Sequence, residues 1–99
     1  MIENNTKRFK KRLMKAAIKG CDVTKADLKG KSRKRHLART RQALMVLLYE
    51  NTNMPLPDVG QVFNRDHTTV LHAVKIREDL KPWMKIIREY YYKDEMKWY

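Results

Sequence analysis

Asn64-Arg65-Asp66-His67-Thr68-Thr69-Val70-Leu71-His72-Ala73 sets a tight connection, a helix cap and a helix in direct succession. Asp66 has the side chain to accept from the first free amides of the next turn, and Val70, Ala73, Val74 and Leu80 recur at helical spacing, which predicts a helix over His67–Leu80. Upstream, Pro57 suits the first position of a short helix, Pro57–Phe63, with Val59, Val62 and Phe63 pointing inward. Gly60 lowers the propensity of that helix but lets a second helix approach closely. Two helices joined by about three residues have the layout of a helix-turn-helix, here over residues 56–80, in which the first turn of the second helix meets base edges in the major groove. The residue types suit that place. Asp66 can accept from a cytosine or adenine amine, and His67 can donate or accept. The methyls of Thr68 and Thr69 can meet a thymine methyl while their hydroxyls reach bases or phosphate. Capping alone accounts for Asp66, but it requires neither His67 nor two successive threonines.

Working outward, no alternation of the kind a strand needs is visible, and glycines and prolines are few, so the pattern predicts five or six helices. Leu37–Asn51 is the most apolar and is expected to be the central core helix, closed by Asn51-Thr52-Asn53-Met54-Pro55. A first helix, Glu3–Lys19, carries Phe9, Leu13, Ala16 and Ala17 on one face and basic residues elsewhere, with Gly20 as its stop. Thr24 and Asp27 have capping-box spacing, which predicts one turn over Lys25–Leu28. Lys29–His36 reads as a basic loop. Pro82 punctuates the chain before a last helix, Trp83–Tyr92.

The charge narrows the function. Of the 99 residues, 23 are Lys or Arg and 11 Asp or Glu, a net charge of +12, which favours a polyanionic partner. Residues 1–41 hold 15 basic and 3 acidic side chains, whereas residues 42–99 hold 8 of each, so the whole excess lies in the first part. A mean hydropathy of −0.76 and this length fit one small domain and exclude a two-domain enzyme. The longest apolar run, Ala43–Tyr49, is far short of the roughly 20 residues of a membrane span. No signal-peptide pattern opens the chain, so a soluble, cytoplasmic, nucleoid-associated protein is expected. Cys21 is the single cysteine and excludes an internal disulfide; it reads as a semi-buried spacer. His67 and His72 are not at the i, i+4 spacing of a zinc helix, and no carboxylate pair or nucleophilic triad suggests catalysis, so neither metal nor cofactor is expected.

Arg65-Asp66-His67-Thr68-Thr69-Val70-Leu71-His72-Ala73 resembles the signature of the C-terminal DNA-binding domain of DnaA, the bacterial replication initiator. The resemblance extends through Ala26-Asp27-Leu28, Ala38-Arg39-Thr40-Arg41-Gln42 and Leu56-Pro57-Asp58-Val59-Gly60, and covers residues 20–80. It implies an all-α, compact helical domain with a helix-turn-helix of the initiator or Trp-repressor kind. The chain then reads as one domain, with 1–19 a basic helix, 20–80 the core that the resemblance covers, and 81–99 an aromatic extension with an extra helix. It also implies that Asp66, His67, Thr68 and Thr69 read bases in the major groove, with Leu56 and Pro57 close by, and that Arg33 enters the minor groove. A narrow, A/T-rich minor groove attracts such an arginine independently. The resemblance further implies that Lys31, Lys34, Arg35, Arg39, Arg41, Gln42 and Arg65 fall near phosphates or base edges. The implied partner is double-stranded DNA carrying a box like the initiator's, bound to regulate replication or transcription.

Three departures stand out. The family's Gly-Gly pair before the signature arginine is replaced by Phe63-Asn64, one residue shorter; Thr40 stands where proline is usual; and Arg77 falls on the apolar stripe of the second helix. Nothing resembles the P-loop of the initiator's ATPase module. Residues 81–99 lie beyond the resemblance. Trp83, Ile86, Ile87 and Tyr90 fit one helix face, with Tyr91, Tyr92, Trp98 and Tyr99 adding aromatics, and two readings stand: packing on this chain's own core, or a surface for a second copy or a protein partner. The second would make the chain an adaptor tethered by DNA. Structured RNA fits the charge, but its deep, narrow major groove does not suit side-chain readout.

Overall fold

The computed structural model describes residues 2–32 and 34–96, with side chains over 6–32 and 34–93. In chain order the elements are α1 (Ile2–Gly20), α2 (Lys25–Lys29), α3 (Arg35–Asn51), α4 (Leu56–Val62), α5 (His67–Lys75), a 3₁₀ turn (Arg77–Leu80) and α6 (Lys81–Met96). Among the described residues all regular structure is helical.

α3 is the axis of the fold. Its six consecutive residues Ala43–Leu48 are buried all round, which one face of an amphipathic helix could not achieve, and every other element packs on it. From α1 come Leu13, Ala16 and Ala17, the face expected from their spacing; α4 adds Val59, and α5 adds Val70 and Ala73. The capping box of α2 forms with both bonds: Thr24 N–H donates to Asp27 Oδ2 at 2.9 Å, and Asp27 N–H to Thr24 Oγ1 at 3.0 Å.

Several boundaries differ from expectation. α3 starts at Arg35, two residues before its first apolar side chain, because a tertiary bond holds that turn, His36 Nε2–H donating to the Cys21 carbonyl, and within the helix Thr40 Oγ1 donates to the His36 carbonyl. α4 runs Leu56–Val62, with Phe63 as its fully buried C-cap. The helix expected over His67–Leu80 is two pieces, since α5 stops at Lys75 and Ile76 (φ −98, ψ 23) leads into the 3₁₀ turn. No glycine or proline signals that break. It turns Arg77 onto Glu50 at the end of α3, with Nε donating to Oε2 at 2.5 Å and Nη2 to Oε1 at 3.1 Å, while Leu80 enters the core. The departure at Arg77 is thus a bidentate ion pair rather than a core position. α6 starts at Lys81, with Pro82 in a first turn where no amide donor is needed, and runs past Tyr92 to Met96.

α6 packs against α1. Tyr91 meets Phe9 edge to face at 5.4 Å and takes the Arg12 guanidinium over its ring at 4.7 Å, while Ile86 and Tyr90 lie against Gly20 at the other end. A Cβ on Gly20 would come within 2.8 Å of the Tyr90 ring, so glycine there serves close approach as well as helix ending. Of the expected aromatic face, Ile87 is buried, Trp83 and Tyr90 are half-buried, and Ile86 is 37% exposed; buried Met84 belongs to the same packed side. Trp98 and Tyr99 lie outside the described residues.

Candidate nucleic-acid interface

α4 and α5 meet in a turn only this backbone allows. Arg65 N–H returns to the Gly60 carbonyl at 2.9 Å, and any Cβ on Gly60 would collide with the carbonyl oxygens of Arg65 and Asp66. Asn64 lies in the left-handed region, φ 57, which asparagine tolerates better than other side-chain-bearing residues. One asparagine therefore does what the usual glycines would do.

The turn delivers Asp66 as the N-cap of α5. Its Oδ1 accepts three bonds, from Thr68 Oγ1 at 2.6 Å, Thr69 N–H at 3.1 Å and Thr69 Oγ1 at 3.2 Å. The Thr68 hydroxyl first, then the Thr69 amide, hold the carboxyl below its usual range, so the cap is ionised at neutral pH. All three bonds fall on one oxygen, leaving Oδ2 as the acceptor for an outside donor. Asp66, His67 and Thr68 are exposed and Thr69 is half-buried, while Val70 and Ala73 bind the other side of the helix to the core. At the start of α4, Leu56 is half-buried and Pro57 exposed.

Sequence reasoning passed over Leu71, His72 and Lys75. All three are exposed on α5, Leu71 at 40%, and follow Thr68 at steps of three, four and seven, a spacing that marks them as one outward face.

Beside the turn lies the segment between α2 and α3. Lys31, Lys34 and Arg35 are exposed, as expected for a basic loop, and the expected minor-groove residue Arg33 lies outside the described residues. Arg39 Nη1 donates to Gln42 Oε1 at 3.2 Å, pairing these two half-buried side chains on α3. Arg41 and Arg65 turn inward. Arg41 is 5% exposed and donates to the carbonyls of Leu28 and Asp27, and burial, then the nearby Arg65 charge, pull its guanidinium below the usual range. Arg65 donates to the carbonyls of Phe63, Asn64 and Gly30. A further basic surface lies alongside: Lys10, Lys11, Lys15, Lys25 and Lys29 rim a groove of about 360 Å³ floored by Met14, Ile18 and Val62.

A short helix, a tight turn and a second helix whose capped N-terminus is exposed, flanked by a basic loop, define a DNA-binding helix-turn-helix domain. Its outward groups are mainly hydrogen-bonding and cationic, with Leu71 and Pro57 as apolar members. The family described as the bacterial dnaA protein helix-turn-helix matches residues 11–76, and this chain belongs to it. The match runs from the middle of α1 to the end of α5 and leaves α6 outside. No described helix is long and apolar enough to cross a membrane.

Proposed function

We propose that this protein binds double-stranded DNA sequence-specifically, at short sites resembling the initiator's boxes, and regulates replication or transcription by occupying them. The observation that carries this reading is the exposed, Asp66-capped start of α5 beside the basic loop. His67 and Thr68 read base edges, Thr69 and Asp66 hold that turn in shape, and Asp66 Oδ2 takes an exocyclic amine. Leu56 and Pro57 form the rim of the groove contact. Lys31, Lys34 and Arg35 neutralise phosphates and Arg33 enters the minor groove; the Arg39–Gln42 pair flanks the backbone. The adaptor reading has less to stand on, because the aromatic side of α6 is spent largely on α1.

Fluorescence anisotropy with an initiator-type box and a scrambled duplex across a salt series tests this. Both affinities fall with salt, with a log–log slope of about 0.9 per phosphate neutralised, and the box is preferred by about tenfold or more at every salt. His67→Ala or Thr68→Ala erases the preference while leaving the salt slope in place. Variants that prefer the box as the parent does would remove sequence reading from α5.

A further inference from the structure

A helix leaves its last carbonyls without donors of its own. In α2, only five residues long, those carbonyls are taken by side chains from two other elements. Arg41 of α3 donates through Nε to the Leu28 carbonyl at 2.8 Å and through Nη2 to that of Asp27 at 3.0 Å. From the turn before α5, Asn64 Nδ2 donates to the Lys29 carbonyl at 3.2 Å, and Arg65 Nη2 to the Gly30 carbonyl at 2.6 Å. Arg65 Nη1 bonds the Phe63 carbonyl of its own turn at 2.9 Å, so one guanidinium bridges the two segments.

We propose that Arg41, Asn64 and Arg65 are positioning residues for DNA reading, clasping the basic loop to the turn that presents α5 and so setting the register between the two DNA-facing elements. The proposal rests on the reading of the protein as a DNA-box binder. A helix as short as α2 has little stability of its own, and without the clasp the loop would have to be ordered at the moment of binding, at the expense of affinity for the matched site. The acceptors are neutral carbonyls. A carboxylate in their place would hold the arginines equally well but cancel positive charge next to the DNA. The left-handed backbone of Asn64 has a part here too, because it lets the same residue close the turn and reach across to Lys29.

The test uses the full chain with Arg65→Met, Arg65→Lys and Asn64→Gly. In the free protein, Arg65→Met speeds amide exchange of Leu28 and Gly30, whose amides bond back into α2 where the loop begins, by about tenfold relative to α3, the loss expected for hydrogen bonds made by a charged donor. The ratio of box to scrambled affinity falls by about the same factor, and Arg65→Lys restores neither, since an ammonium cannot span two carbonyls as the fork does. Asn64→Gly removes one bond, keeps the left-handed backbone and lowers both readouts by about threefold, which covers the case of an unstable Arg65 variant. Unchanged loop exchange overturns the clasp. Equal losses on both duplexes, restored by Arg65→Lys, overturn it in favour of a phosphate contact. If the parent itself shows no box preference, the DNA-box reading fails, and loop exchange alone then decides whether the clasp exists.

Discussion

Asp66 combines two tasks that pull on one carboxylate. Oδ1 caps α5 and gathers both threonine hydroxyls, which requires the ionised form, and the bonds from Thr68 and Thr69 favour that form. The unfolded carboxyl titrates near pH 4 and the folded one lower, so the cap's stabilisation is complete above about pH 4 and fades as pH falls through the folded value. Asp66→Asn keeps a good cap residue without a titrating group. Thermal melts from pH 7 downward are expected to show a stability advantage of the parent over Asp66→Asn that stays constant to about pH 4 and then narrows. A difference independent of pH would remove the charge of Asp66 from this account. At Asn64 and Arg77 the departures from the family pattern have different causes, a left-handed backbone in the first case and a long-range ion pair with Glu50 in the second. Burial pushes the Cys21 thiol up, and Cys21 is more deeply buried than the spacer expected.

Between elements, the approach of α4 to α5 depends on one missing side chain. The atoms a Cβ on Gly60 would strike are backbone carbonyls of the turn itself, which cannot swing away as a side chain could. Gly60→Ala therefore has to displace the turn, at about 2 kcal/mol, and moves His67 and Thr68 off register. Chemical denaturation should show the loss, and anisotropy a reduced box preference that exceeds any change on scrambled DNA. A neutral Gly60→Ala would mean that the turn can relax elsewhere.

Across the molecule, the described part of α6 is mainly a structural member. α6 places Ile87 and Met84 in the same core as α3 and lays Tyr91 on Phe9 and Arg12 of α1. Ile87→Ala is expected to destabilise by about 3 kcal/mol, whereas Tyr92→Ala, at a residue 58% exposed, stays within about 0.5 kcal/mol. Equal, small effects in denaturant titrations would show that α6 adds little to the core.

Local pattern alone determined the helical class, the central helix, the Thr24–Asp27 capping box, the Asp66 cap and the helix-turn-helix. Each rests on interactions within a few residues, or on apolar spacing that a single helix displays. The exposed residues of the turn were legible for the same reason. The break at Ile76, the early start of α3 and the inward turn of Arg41 and Arg65 were not, because their partners lie 13 to 35 residues away in the chain. An arginine in a basic stretch looks the same in sequence whether it faces a phosphate or a helix's orphan carbonyls. Only packing brings those carbonyls within reach, and it was packing that decided which arginines hold the fold together.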